Sequence, residues 1–191
     1  MVTPDFSTFC ELARGYNLVP LYREILGDLI TPVLAYKILA TEQSSYLLES
    51  VEGGEKWGRY SFLGLRPSLL LTIQGDRVIQ QSREGQAVQT GVSDPLDWLR
   101  QILGRYQAAS LPGLPRFSGG LVGYLSYDVI RYIERLPELA APNPIPEAML
   151  MLADQLLIFD NVRHTIKVLN WVTIDPERSL AELYQEGVAA L

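Results

Sequence analysis

One cysteine and one histidine in 191 residues leave little room for several kinds of chemistry. Cys10 cannot close a disulfide within the chain, and a lone thiol in an apolar helical stretch reads as a small buried hydrophobe suited to a reducing compartment. His164 falls at a β-turn with no acidic or nucleophilic constellation near it; general base is a chemical option, but its neighbours favour a solvated surface position. No apolar run approaches the roughly 18 residues of a membrane helix, and the opening MVTPDFSTF lacks the basic start and hydrophobic stretch of a secretory signal. Lys and Arg number 16 against 22 Asp and Glu, the basic residues are scattered, and the formal net charge is -6, which argues against nucleic acid or an anionic membrane as partner. The glycines of GGLVG lack both the Lys-Ser/Thr of a phosphate loop and the dinucleotide fingerprint. Internal repeats and disordered tracts are absent from the sequence as well. The expectation is a soluble, cytoplasmic protein that meets a small metabolite or another protein.

The composition is globular: 48% of residues are hydrophobic and 20% charged, enough in 191 residues for a single domain with a real core. Thr3, Pro4 and Asp5 read as a helix start capped by Asp5 or Ser7, with Phe6, Phe9, Cys10 and Ala13 on one face and Gly15 at its end. Asn17 to Arg23 is extended, and Pro20 makes it an edge strand or an irregular passage. Thr31 and Pro32 supply the N-cap and first position of a short helix through Leu39. Ser68 to Ile73 and Arg77 to Gln81 flank Gln74, Gly75 and Asp76 in a tight hairpin. Ser93 or Asp94 caps a helix in which Leu96, Leu99, Ile102 and Leu103 recur at helical spacing up to Gly104. Ala108 to Ser118 reads as the best internal linker.

From Gly119 a strand (LVGYLSY) runs directly into a helix (YDVIRYIERL), with Gly119, Gly120 and Gly123 placed where a backbone or ligand must come close. Tyr124, Tyr127 and Asp128 face either a pocket or aromatic packing beneath a sheet. Pro142 to Pro146 fits neither a helix nor a central strand. Met149 to Phe159 and Thr165 to Val172 read as two long strands joined by a turn at Asp160 to Arg163. Asp175, Pro176 and Glu177 open a last helix, with Leu180, Leu183, Tyr184 and Val188 on one face. The sum is about six to nine mostly antiparallel strands with four or five flanking helices, an α+β fold rather than alternating βαβ. Strands such as Leu150 to Ile158 are apolar on both faces, so each side of the sheet needs a cover.

The richest chemistry lies in SSYLLESVEGGEKWGRYSFLG, Ser44 to Gly64: two apolar strand-like pieces joined by a turn of glutamates and glycines, hence a hairpin or β-arch. Strand alternation points Leu47 and Glu49 one way and Leu48 and Ser50 the other. Glu49 and Ser50 enter the turn while Arg59 and Tyr60 return beside them. The cluster offers a carboxylate for an ammonium, a hydroxyl, and a guanidinium for a carboxylate, beside aromatic side chains. An amino-acid ligand calls for those groups. A plain cross-strand ion pair of Glu49 with Arg59 on a solvated face explains the same residues. Glu49, Glu52 and Glu55 make only a loose metal site in so glycine-rich a turn.

The run LLESVEGGEKWGRYSFLG resembles the amino-terminal region of anthranilate synthase component I. So do GGLVGYLSYDVIRYIERLP and the piece from Pro146 to Asn161 with its IPEAM and LLIFDN ends, so the likeness spans about residues 22–170 in the family's order. Para-aminobenzoate synthase component I is similar in the second and third segments, and LLES followed by EGGEKWGRYSF is the anthranilate pattern.

The resemblance implies one N-terminal domain over 1–191, half of a larger sandwich of sheets. It also implies a site for L-tryptophan as feedback effector, with Ser50 foremost, Leu48 and Glu49 beside it, and Trp57, Gly58, Arg59 and Tyr60 on the returning arm. It implies a parent lyase that makes anthranilate and pyruvate from chorismate, with a chorismate-binding catalytic domain, Mg²⁺ bound there, and a glutamine amidotransferase (component II) as partner. Catalytic residues, metal ligands and cofactors are expected to be absent from this chain, which is expected to be inactive alone. A free-standing amino-acid-binding or interaction module is the more distant alternative.

Overall fold

The structure, a computed structural model, describes residues 1–40, 44–49, 58–137 and 144–191. Among these the chain forms eleven strands, four α-helices and one 3₁₀ helix. The strands are β1 (Val2–Thr3), β2 (Leu18–Leu26), β3 (Ser45–Leu48), β4 (Tyr60–Leu65), β5 (Leu69–Gln74), β6 (Arg77–Ser82), β7 (Gly85–Gln89), β8 (Gly120–Leu125), β9 (Ala148–Ala153), β10 (Gln155–Asp160) and β11 (Thr165–Thr173). The helices are α1 (Phe6–Leu12), α2 (Pro32–Leu39), α3 (Pro95–Gly104) and α4 (Leu180–Ala189), with the 3₁₀ turn at Tyr127–Tyr132. Every registered strand pair is antiparallel, in a six-stranded sheet ordered β1-β2-β11-β10-β4-β3 and a five-stranded sheet ordered β7-β6-β5-β9-β8. The fold is α+β with antiparallel sheets and flanking helices. The chain divides into two compact units, residues 1–67 with 106–120 and 153–191, and residues 68–105 with 121–152.

Local chemistry explains the helix starts. Asp5 accepts from the Thr8 N–H at 2.9 Å, Thr31 from Leu34 at 3.2 Å, and Asp94 from both Leu96 and Asp97 at 3.0 and 2.9 Å. Each side chain satisfies amides that have no partner in the first turn. The last helix starts later than its Asp-Pro-Glu signal suggests. Asp175 instead closes a turn onto the Glu177 N–H, and Ser179 caps α4 through Ala181.

In the first unit, strand register places Val19, Leu21, Leu63, Leu157, Ile166 and Val172 on one face of the six-stranded sheet. Phe9 of α1 and Leu183 of α4 pack at one end of that face, and Ala35 of α2 at the other. All three helices therefore cover a single side. Of the segment 106–120, residues 107–109 bond to the edge of β2, where Ala109 joins the helix-side core, and residues 113–118 lie along the other side: Phe117 meets Phe62 edge-on with centroids 4.9 Å apart, and Trp171 Nε1 donates to the Ser118 carbonyl at 2.6 Å. This segment is packed structure rather than the linker its prolines and glycines suggested, with Ala109 buried and its N–H bonded to Leu18 O at 2.8 Å. Pro20 sits within a long strand, at a point where β1, which pairs only with Tyr22 and Arg23, no longer runs beside it. Its missing donor costs that side of the ladder nothing.

In the second unit Leu71, Ile73, Val78, Leu99 and Ala148 form the core. Leu103, though at helical spacing, is exposed. The Gly75–Asp76 turn joins β5 to β6 with Gln74 opposite Arg77, and Gly75 takes the positive φ of 59° that such a turn demands. A Cβ on Gly123 would lie 1.9 Å from Met149 O, so β8 sits at its distance from β9 only because that residue has no side chain.

Further element readings change. The run Met149 to Phe159 is not one strand: it breaks at Asp154, so that β9 belongs to one sheet and β10 to the other. Continuous apolarity in the sequence does not mark where a strand changes sheets. The helix after β8 is a single 3₁₀ stretch, and β7, whose residues are all exposed, carried no amphipathic signal to find it by.

Candidate functional site

The hairpin of β3 and β4 pairs Leu48 with Phe62, Leu47 with Leu63 and Tyr46 with Gly64. Leu63 is fully buried in the cluster beneath α2, with Leu47 packed beside it. Leu48 points to the opposite face and is 43% exposed. Glu49 follows it, exposed, and Gly58, Arg59 and Tyr60 begin the returning arm half-buried. Ser50 and Trp57 lie outside the described residues, as do Glu52 and Glu55.

The returning arm is anchored by the turn between β10 and β11. Arg59 donates from Nη2 to Asp160 Oδ2 at 2.7 Å and from Nε to both carboxylate oxygens at 3.2 Å, while its guanidinium lies 4.9 Å from the centre of the Tyr60 ring. Asp160 is 4% exposed and also accepts from the Val162 and Arg163 N–H groups at 3.2 and 3.1 Å. Burial by itself would raise this carboxyl, but the Arg59 and backbone hydrogen bonds outweigh it and hold Asp160 below the ordinary carboxylate range. Asn161 completes the brace, its N–H donating to Arg59 O at 2.8 Å and its Nδ2 to Gly58 O at 3.1 Å and to Ser61 Oγ at 3.3 Å. The sequence had marked Asp160 and Asn161 only as turn residues. The one hint was a carboxylate and an amide ending an otherwise apolar strand.

The open face of the hairpin is aromatic. Tyr60 and Phe62 are 6.2 Å apart between centroids, and Phe117 closes on Phe62. The Tyr46 ring lies flat over Gly64, where an added Cβ would come within 2.0 Å of Cε1. Its hydroxyl is sealed from solvent and has no hydrogen-bond partner among the described residues, and burial, followed by the Asp154 carboxylate, pushes the phenol up. Leu48, Phe62 and Tyr46 thus form an apolar strip on one face of the hairpin, with the exposed Glu49 next along the chain. Such a strip suits a small ligand with a flat apolar body.

Other sequence candidates fall elsewhere. Tyr127 is 87% exposed and does not pack beneath a sheet; Tyr124 donates to Pro146 O at 3.3 Å, and Asp128 accepts from Arg131 Nε at 3.2 Å. His164 is an exposed turn residue with φ of 54°, whose carbonyl accepts from the Gly27 N–H at 2.8 Å. It borders a cavity of about 280 Å³ with Asp28, Thr31 and Thr165. A larger cavity of about 440 Å³ lies under α2 and the end of α4, lined mainly by aliphatic side chains including Ile38, Leu39, Leu65, Leu157, Val168 and Leu191. Among the described residues no group of three His, Cys, Asp or Glu is arranged to hold a metal, and no helix is long and apolar enough to cross a membrane.

Fold and site define an α+β chain of two antiparallel sheets with an amphipathic hairpin face. No family model matches it. Among known proteins it is similar to anthranilate synthase component 1 of Pseudomonas putida, 43% identical over 96% of this chain and 37% of that protein. The protein of the same name from Synechocystis sp. is 44% identical over 87% of this chain and 33% of that protein. The crystal structure of anthranilate synthase component I from Streptococcus pneumoniae TIGR4 is 26% identical, with a TM-score of 0.46, covering 86% of this chain and 35% of that one. The chain is therefore related to anthranilate synthase component 1, and it spans about a third of the length of these relatives.

Proposed function

We propose that this chain is the amino-terminal, tryptophan-sensing region of an anthranilate synthase component I. The parent activity would convert chorismate, with ammonia drawn from glutamine by a second, amidotransferase component, to anthranilate and pyruvate. Identity of 43% to a protein of that name over 96% of this chain is the observation that carries the reading. The Pseudomonas putida and Synechocystis relatives both bear the anthranilate name, which favours this branch over para-aminobenzoate synthesis.

Tryptophan would lie on the open hairpin face, indole toward Leu48 and the aromatic strip, ammonium toward Glu49, with Ser50 binding its polar end. Trp57, Gly58, Arg59 and Tyr60 would line the returning arm, where the grip of Asp160 on Arg59 supports a pre-set geometry. The rest of the pocket would come from a chorismate-binding domain, which would also hold the Mg²⁺. Inhibition then follows if bound tryptophan favours one arrangement of this region and that domain over another.

Half a pocket binds weakly. Calorimetry of L-tryptophan with this chain should show weak or no binding, and a submicromolar dissociation constant would refute the shared pocket. Given chorismate, ammonium and Mg²⁺, the chain alone should form no anthranilate; measurable turnover overturns its assignment as the non-catalytic region. In a protein that joins this region to a chorismate-binding domain, Ser50→Ala and Glu49→Gln should each raise the inhibitory tryptophan concentration about tenfold while turnover is kept. Unchanged inhibition would remove the sensing role.

A further inference from the structure

β7 is the outermost strand on its side of the five-stranded sheet among the described residues. Its residues are exposed throughout, Val88 to 47%. Natural sheets guard such edges with charges, proline or a bulge. Gly-Gln-Ala-Val-Gln has no charge and no proline, and its register with β6 runs without a bulge.

The direction of each backbone group follows from the turns. Arg83 and Glu84 alone separate Ser82 from Gly85, so that closing pair is a hydrogen-bonded one and the pairs alternate from there. Gly85, Ala87 and Gln89 therefore bond to Ser82, Gln80 and Val78. Counting from the Gly75–Asp76 turn sends the groups of Arg77, Ile79 and Gln81 toward β5, so both hairpins agree on every residue of β6. Gln86 and Val88 are left with their N–H and C=O directed out of the sheet.

We propose that the β7 edges of two copies of this chain pair antiparallel about a two-fold axis through Ala87, an interaction separate from the tryptophan reading. In that register Gln86 of each copy exchanges both backbone hydrogen bonds with Val88 of the other. The two Ala87 residues meet at the non-hydrogen-bonded position, where Cα atoms approach to about 4.5 Å and a methyl side chain fits. No charged side chain of the strand faces a like charge, and the nearest charged residues, Arg83 and Glu84, stay in the turn. The edge complements itself, so a second copy is the fitting occupant. A seam of two short strands lies at the small end of association surfaces, and the dimer is weak and concentration-dependent.

Sedimentation velocity of the full chain over a wide concentration range tests this, with a monomer–dimer equilibrium that stops at two copies as the expected result. Val88→Pro removes one outward N–H, leaves the bonds to β6 in place, and should abolish the dimer with circular dichroism and thermal midpoint unchanged. Gln86→Lys with Val88→Lys opposes two like-charged pairs across the seam and should weaken the dimer about tenfold, whereas Gln86→Glu with Val88→Lys should restore it. Three results overturn the proposal: a monomer at every concentration, growth past two copies as pairing of β7 on β8 would give, or a dimer indifferent to Val88→Pro. If the proline variant unfolds, the charge-reversal pair decides.

Discussion

Asp160 shows what one residue contributes when its partner is 101 positions away. Its folded pKa lies below the unfolded one, so its stabilising effect is complete above the usual carboxylate range near about 4 and is lost as pH falls through the folded value. Asp160→Asn should lower stability at neutral pH by about 1–2 kcal/mol, a figure reduced because Arg59 is about a third exposed. The same variant should flatten the acid limb of a stability-against-pH curve. An unchanged acid limb in urea titrations would show that the ion pair contributes no net stability. Gly64 makes a second case. Gly64→Ala would drive the Tyr46 ring off β4 at a cost of about 1–3 kcal/mol, and in combination with Tyr46→Ala the two losses should be less than additive.

At the scale of elements, the starts of α2 and α3 were legible because a cap is a local event: Thr31-Pro32 and Asp94-Pro95 need nothing beyond the next turn. Asp94→Ala should cost about 1 kcal/mol by thermal or denaturant unfolding. Close approach between strands is less local. Gly123→Ala should be among the most damaging single-methyl changes, on the order of 3 kcal/mol, because the obstacle is the Met149 backbone rather than a side chain that can swing away. A loss no larger than that of a surface Gly→Ala would contradict the strand spacing. β7 and the break at Asp154 were illegible for a related reason. Neither a wholly exposed strand nor a strand that changes sheets leaves a period in the sequence.

For the molecule as a whole, α1, α2 and α4 crowd one face of the six-stranded sheet and still leave an aliphatic cavity there, with Leu26, Leu29 and Ile38 exposed around α2. Apolar surface of this kind binds hydrophobic dyes. Dye fluorescence should rise with the native chain and fall for Ile38→Lys, which places a charge at the cavity rim; equal fluorescence from both proteins would locate the dye elsewhere.

Sequence alone determined the α+β class, the turns at Gly75–Asp76 and Asp160–Arg163, the starts of α2 and α3, and the hairpin whose LLES arm carries the likeness to anthranilate synthase component I. Each depends on contacts within a few residues or on motifs read in order. Only the tertiary structure decided that Arg59 is held by Asp160, that Phe117 covers Phe62, and that Leu48 rather than Leu47 faces outward. Alternation divides side chains into two sets, but which set is buried depends on what packs against each face, and those partners lie far along the chain.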